Sequence, residues 1–327
     1  MPIILSSSAV IIDAARHLRA GGLGAAPTET VYGLFGDATN PAAIQAIFDV
    51  KGRPQTTPLI VHIGTLAAAR ELAEFDSRAA YLAQRLWPGP ITLILRQKPG
   101  NRIAPVTTSG QATIGLRMPD NPVALQLLAE TGRPLAAPSA NFYSRVSPTT
   151  AAHVQAQLGN RLTMIIDGGA CTVGLESTIL DLSTAEARLL RPGGITRETI
   201  EASIGEISSP IANPGSVSGS AVSHYAPRLP LRPNAYCPID GELENLLSFG
   251  PNPLAGFADE FNLSLDADLK QAAARLYAGL RSLDTDSARP GQTIRRIAVM
   301  PIPNQGIGIA INDRLLRAAA PRDQNYR

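Results

Sequence analysis

The feature that most constrains this chain is a series of short apolar runs, most of them closed by Gly or Pro beside a cation or a small hydroxyl. They include P-T-E-T-V-Y-G-L at 27–34, K-G-R-P at 51–54 and A-P-S-A-N at 137–141. G-L-R-M-P at 115–119, L-E-S-T at 175–178 and L-R-P-G-G at 190–194 share the form. Runs of this kind, interleaved with segments of helical periodicity, specify an α/β chain, and donors gathered at strand ends specify an anion pocket.

Local signals place the elements. Helices are predicted over 9–20, with Ser8 as N-cap and Gly21-Gly22 closing it, and over 41–50, 65–75, 77–86, 122–131, 149–158 and 196–204. Strands are predicted over 23–26, 59–63, 91–96, 112–118, 135–137, 164–167, 178–182 and 188–190. The alternation lacks a strict βαβ rhythm, so the expected fold is a mixed, twisted sheet with helices packed on it. At about Glu206 the composition turns to Ser, Pro, Gly and Asn. The expected organisation is therefore a domain over 1–206, a linker over 207–229 ending in H-Y-A-P-R, and a small α/β domain over 230–327. In the last of these, strands are predicted over 254–257 and 294–300 and helices over 265–282 and 306–319.

Composition narrows the function. Of 327 residues, 44% are hydrophobic and 17% charged, which excludes a disordered chain. The net charge of +2 provides no bulk field for nucleic acid. Cys171 and Cys237 fit no C-x-x-C pattern and read as reduced thiols, and the four histidines show no zinc spacing. The first residues lack a basic, apolar leader, and no window reaches the roughly 18 apolar residues of a membrane span, so a cytoplasmic location is expected.

Lys51 and Arg53 stand where a helix ends and Pro54 forces extension, so both can reach an anion at the bend; helix C-capping by positive charge is the alternative. Arg117 and Arg191 also close apolar strands, each with a proline within two residues. Several cations at strand ends suit a phosphate or carboxylate ligand, each close charge contributing about 4 kcal/mol at 4 Å under an effective dielectric near 20. Thr28 and Thr30 flank Glu29 after a buried strand and fit equally the N-cap of a short helix from Val31. Ser139 and Asn141 fit a turn, Ser177 and Thr178 a strand start, and His62 a core histidine. P-loop, dinucleotide and nucleophile-elbow motifs are all missing. On the residues alone, this is an α/β protein with an anion pocket of Lys, Arg, Ser, Thr and Asn.

Taken together and in order, these strings, with W-P-G-P-I-T-L-I-L, E-S-T-I-L-D-L, H-Y-A-P and A-I-N-D-R-L, resemble the YrdC-like family in its long, two-domain form. The resemblance implies the YrdC-like mixed sheet and a Rossmann-like second domain. It implies a nucleotidyltransferase, an L-threonylcarbamoyladenylate synthase that joins L-threonine, bicarbonate and ATP into threonylcarbamoyl-AMP and pyrophosphate. A downstream transferase then carries the threonylcarbamoyl group to tRNA. By the same resemblance Lys51, Arg53, Thr57, Thr113, Ser139, Asn141, Ser147, Arg191 and Tyr225 face ATP, with Lys51 and Arg53 as the catalytic cations. Thr30, His62, Arg117, Ala137 and Ser177 face threonine, Arg117 taking its carboxylate. Tyr225 closes over the nucleotide as part of a lid. Mg²⁺ is implied with the triphosphate, held mainly by phosphate oxygens and water, with Glu29 and Glu176 as the nearest carboxylates. Thr57 stands where relatives carry Asn or His. The alternatives are an RNA-binding module of the same fold and a carbamoyl-transfer relative using carbamoyl phosphate.

Overall fold

The structure is a computed structural model describing residues 3–209, 219, 221–285 and 293–321. It packs as two units, Met1–Tyr143 with Ser147–Ser220, and Ser144–Val146 with Ala221–Arg327. In the first, strand β1 (Ile3–Leu5) and helix α1 (Ser8–Arg19) precede β2 (Gly24–Ala26), β3 (Gly33–Asp37), α2 (Pro41–Lys51) and β4 (Ile60–His62). Next come α3 (Leu66–Leu72), α4 (Ser77–Leu86), β5 (Ile91–Arg96), β6 (Thr113–Arg117), α5 (Pro122–Thr131) and β7 (Leu135–Ala136). The unit ends with α6 (Ala151–Leu158), β8 (Ile165–Asp167), β9 (Thr178–Asp181), β10 (Arg188–Arg191) and α7 (Arg197–Ile204).

The strands form one mixed sheet in the order β1-β8-β2-β3-β7-β4-β6-β5-β9-β10. Parallel pairs such as β4 with β6 and β5 with β9 alternate with antiparallel ones such as β3 with β7 and β5 with β6. Helices cover both faces. Ile44, Ile47 and Phe48 of α2 join the main core, while α1 and α5 bury Ile11, Leu18, Leu127 and Leu128 in a second cluster with Phe35 and Leu135. Side-chain caps fix most helix starts: Ser7 accepts from the Val10 amide, Asn40 from Ala42 and Asn121 from Val123. The first of these caps is Ser7 and not the expected Ser8, because Ser8 already has helical geometry.

β3 was not foreseen. No strand was expected over 33–37, yet G-L-F-G-D forms one in mid-sheet. The glycines are needed there: a Cβ on Gly36 would lie 2.9 Å from Leu23 and 3.0 Å from Ile47, and one on Gly33 would lie 2.9 Å from Phe35.

The second unit holds β11 (Leu231–Arg232), β12 (Glu244–Ser248), β13 (Glu260–Asn262), α8 (Leu269–Leu283), β14 (Arg296–Val299) and α9 (Gly308–Ala319). Its strands, all parallel, run in the order β11-β14-β12-β13, the expected Rossmann-like pattern. The strand expected over 254–257 is irregular; β12 and β13 lie either side of it, because Leu246 and Leu247 are fully buried. Of the expected 207–229 linker, 210–218 and 220 lie outside the described residues, and His224–Ala226 packs within the second unit, where the Ala226 amide donates to the Ser144 carbonyl. No described helix is long and apolar enough to cross a membrane.

Candidate active site

Several loops of the first unit are laced together by backbone hydrogen bonds. The Leu34 amide donates to the Pro138 carbonyl, Ala140 to Tyr32, Tyr32 to Pro148 and Val173 to Glu29. These bonds bring P-T-E-T, A-P-S-A-N, the 147–149 stretch and the segment leading to E-S-T into one neighbourhood. The P-T-E-T turn is self-capped: Thr28 Oγ1 accepts from the amides of Thr30 and Val31, each at 3.2 Å, and donates to the Val31 carbonyl at 2.7 Å. No helix follows. Thr30 Oγ1 lies 2.8 Å from Thr28 Oγ1.

Lys51 is the last residue of α2, which Gly52 ends at φ 61°. Its ammonium does not cap its own helix. It crosses to A-P-S-A-N and donates to the carbonyls of Ser139 at 2.5 Å and Asn141 at 2.6 Å. Burial, and secondarily the Arg53 charge, hold that ammonium well below the ordinary lysine range. Arg53 donates to the Pro58 carbonyl at 3.1 Å and lies 5.9 Å from the centre of the Tyr143 ring. The Tyr143 amide in turn donates to the Lys51 carbonyl.

A second group lies on the sheet. Register places His62 of β4 beside Arg117 of β6. Arg117 Nη2 approaches Glu29 Oε1 at 2.7 Å, with both side chains at most 5% exposed. Yet neither group meets hydrogen-bond geometry: both Glu29 oxygens, Arg117 Nε and Nη2, and His62 Nδ1 are buried without a hydrogen-bond partner. Burial, with the Arg117 charge, pushes the His62 imidazolium well below its usual range, so the ring is neutral at physiological pH. Cys171 borders the group, its thiol pushed up to about 12, chiefly by burial.

Arg191, ending β10, donates through Nε and Nη2 to the Ser177 carbonyl at 3.1 and 2.8 Å, and through Nη2 to Ser177 Oγ at 3.1 Å. Ser177 Oγ lies 2.8 Å from Thr92 Oγ1. Ser147 donates to Glu176 at 2.7 Å. Gly193 permits this arrangement, since a Cβ there would lie 2.3 Å from the Thr178 nitrogen and 2.4 Å from the Glu176 carbonyl oxygen.

Lys51, Arg53, Ser139 and Asn141 therefore form one cluster, with Thr57, whose carbonyl faces Arg53. His62 and Arg117 form another, and Arg191 with Ser177 a third. Ala137 binds back to β4 through its amide and the Ile60 carbonyl. Thr113 opens β6, so it stands about 13 Å along the strand from Arg117. Tyr225 belongs to the second unit, where it stacks on Tyr277 at 5.7 Å and lies 5.3 Å from the Arg314 guanidinium. Sequence reasoning passed over Thr92 and Tyr143; a lone hydroxyl within the apolar run I-T-L-I-L was the available sign of Thr92.

The Sua5/YciO/YrdC profile, described as telomere recombination, matches residues 16–193, and a profile described as threonylcarbamoyl-AMP synthase, C-terminal domain, matches 195–320. Threonylcarbamoyl-AMP synthase of Bacillus subtilis (strain 168) is 40% identical, over 95% of this chain and 93% of its own length. That of Pyrococcus abyssi is 37% identical, over 94% of each. The crystal structure of P. abyssi Sua5 complexed with L-threonine superposes with a TM-score of 0.88 at 33% identity, covering 98% of both chains.

Proposed function

The chain belongs to the Sua5/YciO/YrdC family, and from that premise we propose that it condenses L-threonine, bicarbonate and ATP into threonylcarbamoyl-AMP and pyrophosphate. The observation that carries this reading is the buried placement of Lys51, Arg117 and Arg191 at the C-terminal ends of α2, β6 and β10. Cations this deep need anions, and two of the three now lean on carbonyl oxygens.

The chemistry asks for little else. Threonine's amine meets bicarbonate to give a carbamate and water. A carbamate oxygen attacks the α-phosphorus, and pyrophosphate leaves. Negative charge accumulates throughout, so fixed cations and dipoles supply most of the acceleration and no side-chain nucleophile is required. Lys51 and Arg53 take the triphosphate, with Thr57, Thr113, Ser139, Asn141, Ser147 and Arg191 alongside. Arg117 takes the threonine carboxylate. Thr30, Ser177, neutral His62 and the Ala137 backbone surround the rest of the amino acid. Tyr225 is assigned to the nucleotide on the family pattern alone. An arriving phosphate offsets both effects that depress the Lys51 ammonium.

Among the described residues no group of three or more His, Cys, Asp or Glu could hold a metal. On the family pattern a Mg²⁺ ion would accompany ATP, held by triphosphate oxygens and water, where it would neutralise phosphate charge. The product goes on to a transferase that modifies tRNA, a step that rests on the family pattern. The test is pyrophosphate release from ATP, expected only when threonine and bicarbonate are both present; turnover indifferent to threonine overturns the proposal.

A further inference from the structure

The Glu29–Arg117 contact is out of keeping with an ordinary structural ion pair. Buried pairs hold up when well-aligned hydrogen bonds satisfy both partners. Here the charges touch at 2.7 Å while both carboxylate oxygens and two guanidinium nitrogens lack any hydrogen bond. His62 Nδ1, next to Arg117 by register, is equally unmet. A buried acceptor-only group, a donor-only group and a neutral ring nitrogen are thus left short of partners together. One ligand satisfies the two charges at once, a zwitterion whose carboxylate meets the guanidinium and whose ammonium meets the carboxylate.

We propose that Glu29 is the receptor for the α-ammonium of the amino-acid substrate, and that in the free protein it stands in on Arg117 for the substrate's carboxylate. The inference rests on the threonine-dependent reading above and adds a residue to it. When threonine docks, its carboxylate replaces Glu29 on Arg117 and Glu29 turns to the ammonium, so four charges alternate in sign. The free site avoids an uncompensated buried guanidinium, and the bound site rejects acids that lack an amine, since these would leave the Glu29 carboxylate buried and unpaired. Glu29 is a specificity-determining residue in this account.

The test is calorimetric titration of the full chain with L-threonine and with 3-hydroxybutanoate, which keeps the carboxylate and hydroxyl but lacks the amine. Glu29→Gln is expected to weaken threonine roughly ten- to hundred-fold, the worth of a hydrogen bond to a charged group. The same change should leave 3-hydroxybutanoate bound as tightly as before or more tightly, because the competitor for Arg117 has gone. If both ligands weaken in parallel, Glu29 only props Arg117 and the proposal is overturned; unchanged threonine affinity overturns it too. Should Glu29→Gln not fold, Glu29→Asp keeps the charge but withdraws it by one methylene, and is expected to weaken threonine more than 3-hydroxybutanoate. Equal loss of both refutes the assignment. A wild-type protein that binds no threonine overturns the functional reading along with this one, whereas wild-type turnover beside an indifferent Glu29 variant removes only Glu29.

Discussion

Replacing Arg117 with methionine tests the buried pair through stability, apart from catalysis. The change leaves the Glu29 carboxylate 3% exposed, with no cation at 2.7 Å and no hydrogen bond on either oxygen. Breaking a buried pair from one side costs about 3–5 kcal/mol. Because the pair here has poor hydrogen-bond alignment, the lower part of that range is expected. A unit of this size loses about 2–4 °C in Tm per kcal/mol, so Arg117→Met should melt roughly 6–12 °C below wild type. The double variant Glu29→Gln with Arg117→Met removes both charges and should recover most of the loss, since neutral replacement of a whole buried pair is often close to neutral in free energy. Thermal melts followed by circular dichroism on the four proteins complete the cycle. A single variant as stable as wild type, or a double variant no better than the single, refutes the reasoning that this contact is a charge pair whose burial matters.

Further outcomes follow from the same site. Below pH 6.5 the unfolded chain takes up a proton on His62 that the folded protein refuses, so stability falls as the pH falls, by at most about 1.4 kcal/mol per pH unit; His62→Gln should flatten that part of a stability–pH curve. Gly193→Ala drives a methyl into the backbone at Thr178 and Glu176, which cannot yield as a side chain tip would, so a loss of about 3 kcal/mol or more is expected in urea melts, with weakened ATP binding. Ser177→Ala removes the hydroxyl shared with Thr92 and Arg191 and should cost about 1–2 kcal/mol while raising the threonine concentration needed for half-maximal pyrophosphate release. Iodoacetamide at pH 8 should label the exposed Cys237 quickly and Cys171 only on unfolding, since Cys171 is buried with its thiol pushed up to about 12; equal labelling in the native state would contradict that environment.

The chain's punctuation determined a good deal by itself. Pro, Gly and capping residues act over three or four positions, so α4, α5 and β5 were legible to their ends, while β6 and β10 end within one residue of the ranges expected. Motif order likewise carried the family and its reaction. What only the tertiary structure decided is which groups meet. Whether Lys51 caps its own helix or serves another loop depends on carbonyls 88 and 90 residues away. Whether G-L-F-G-D is loop or strand depends on neighbours that leave no space for a Cβ. Glu29 faces Arg117 because the P-T-E-T turn and the end of β6, distant in sequence, are buried against each other. Desolvation then gives that contact its energy, and no residue carries desolvation in its own local sequence.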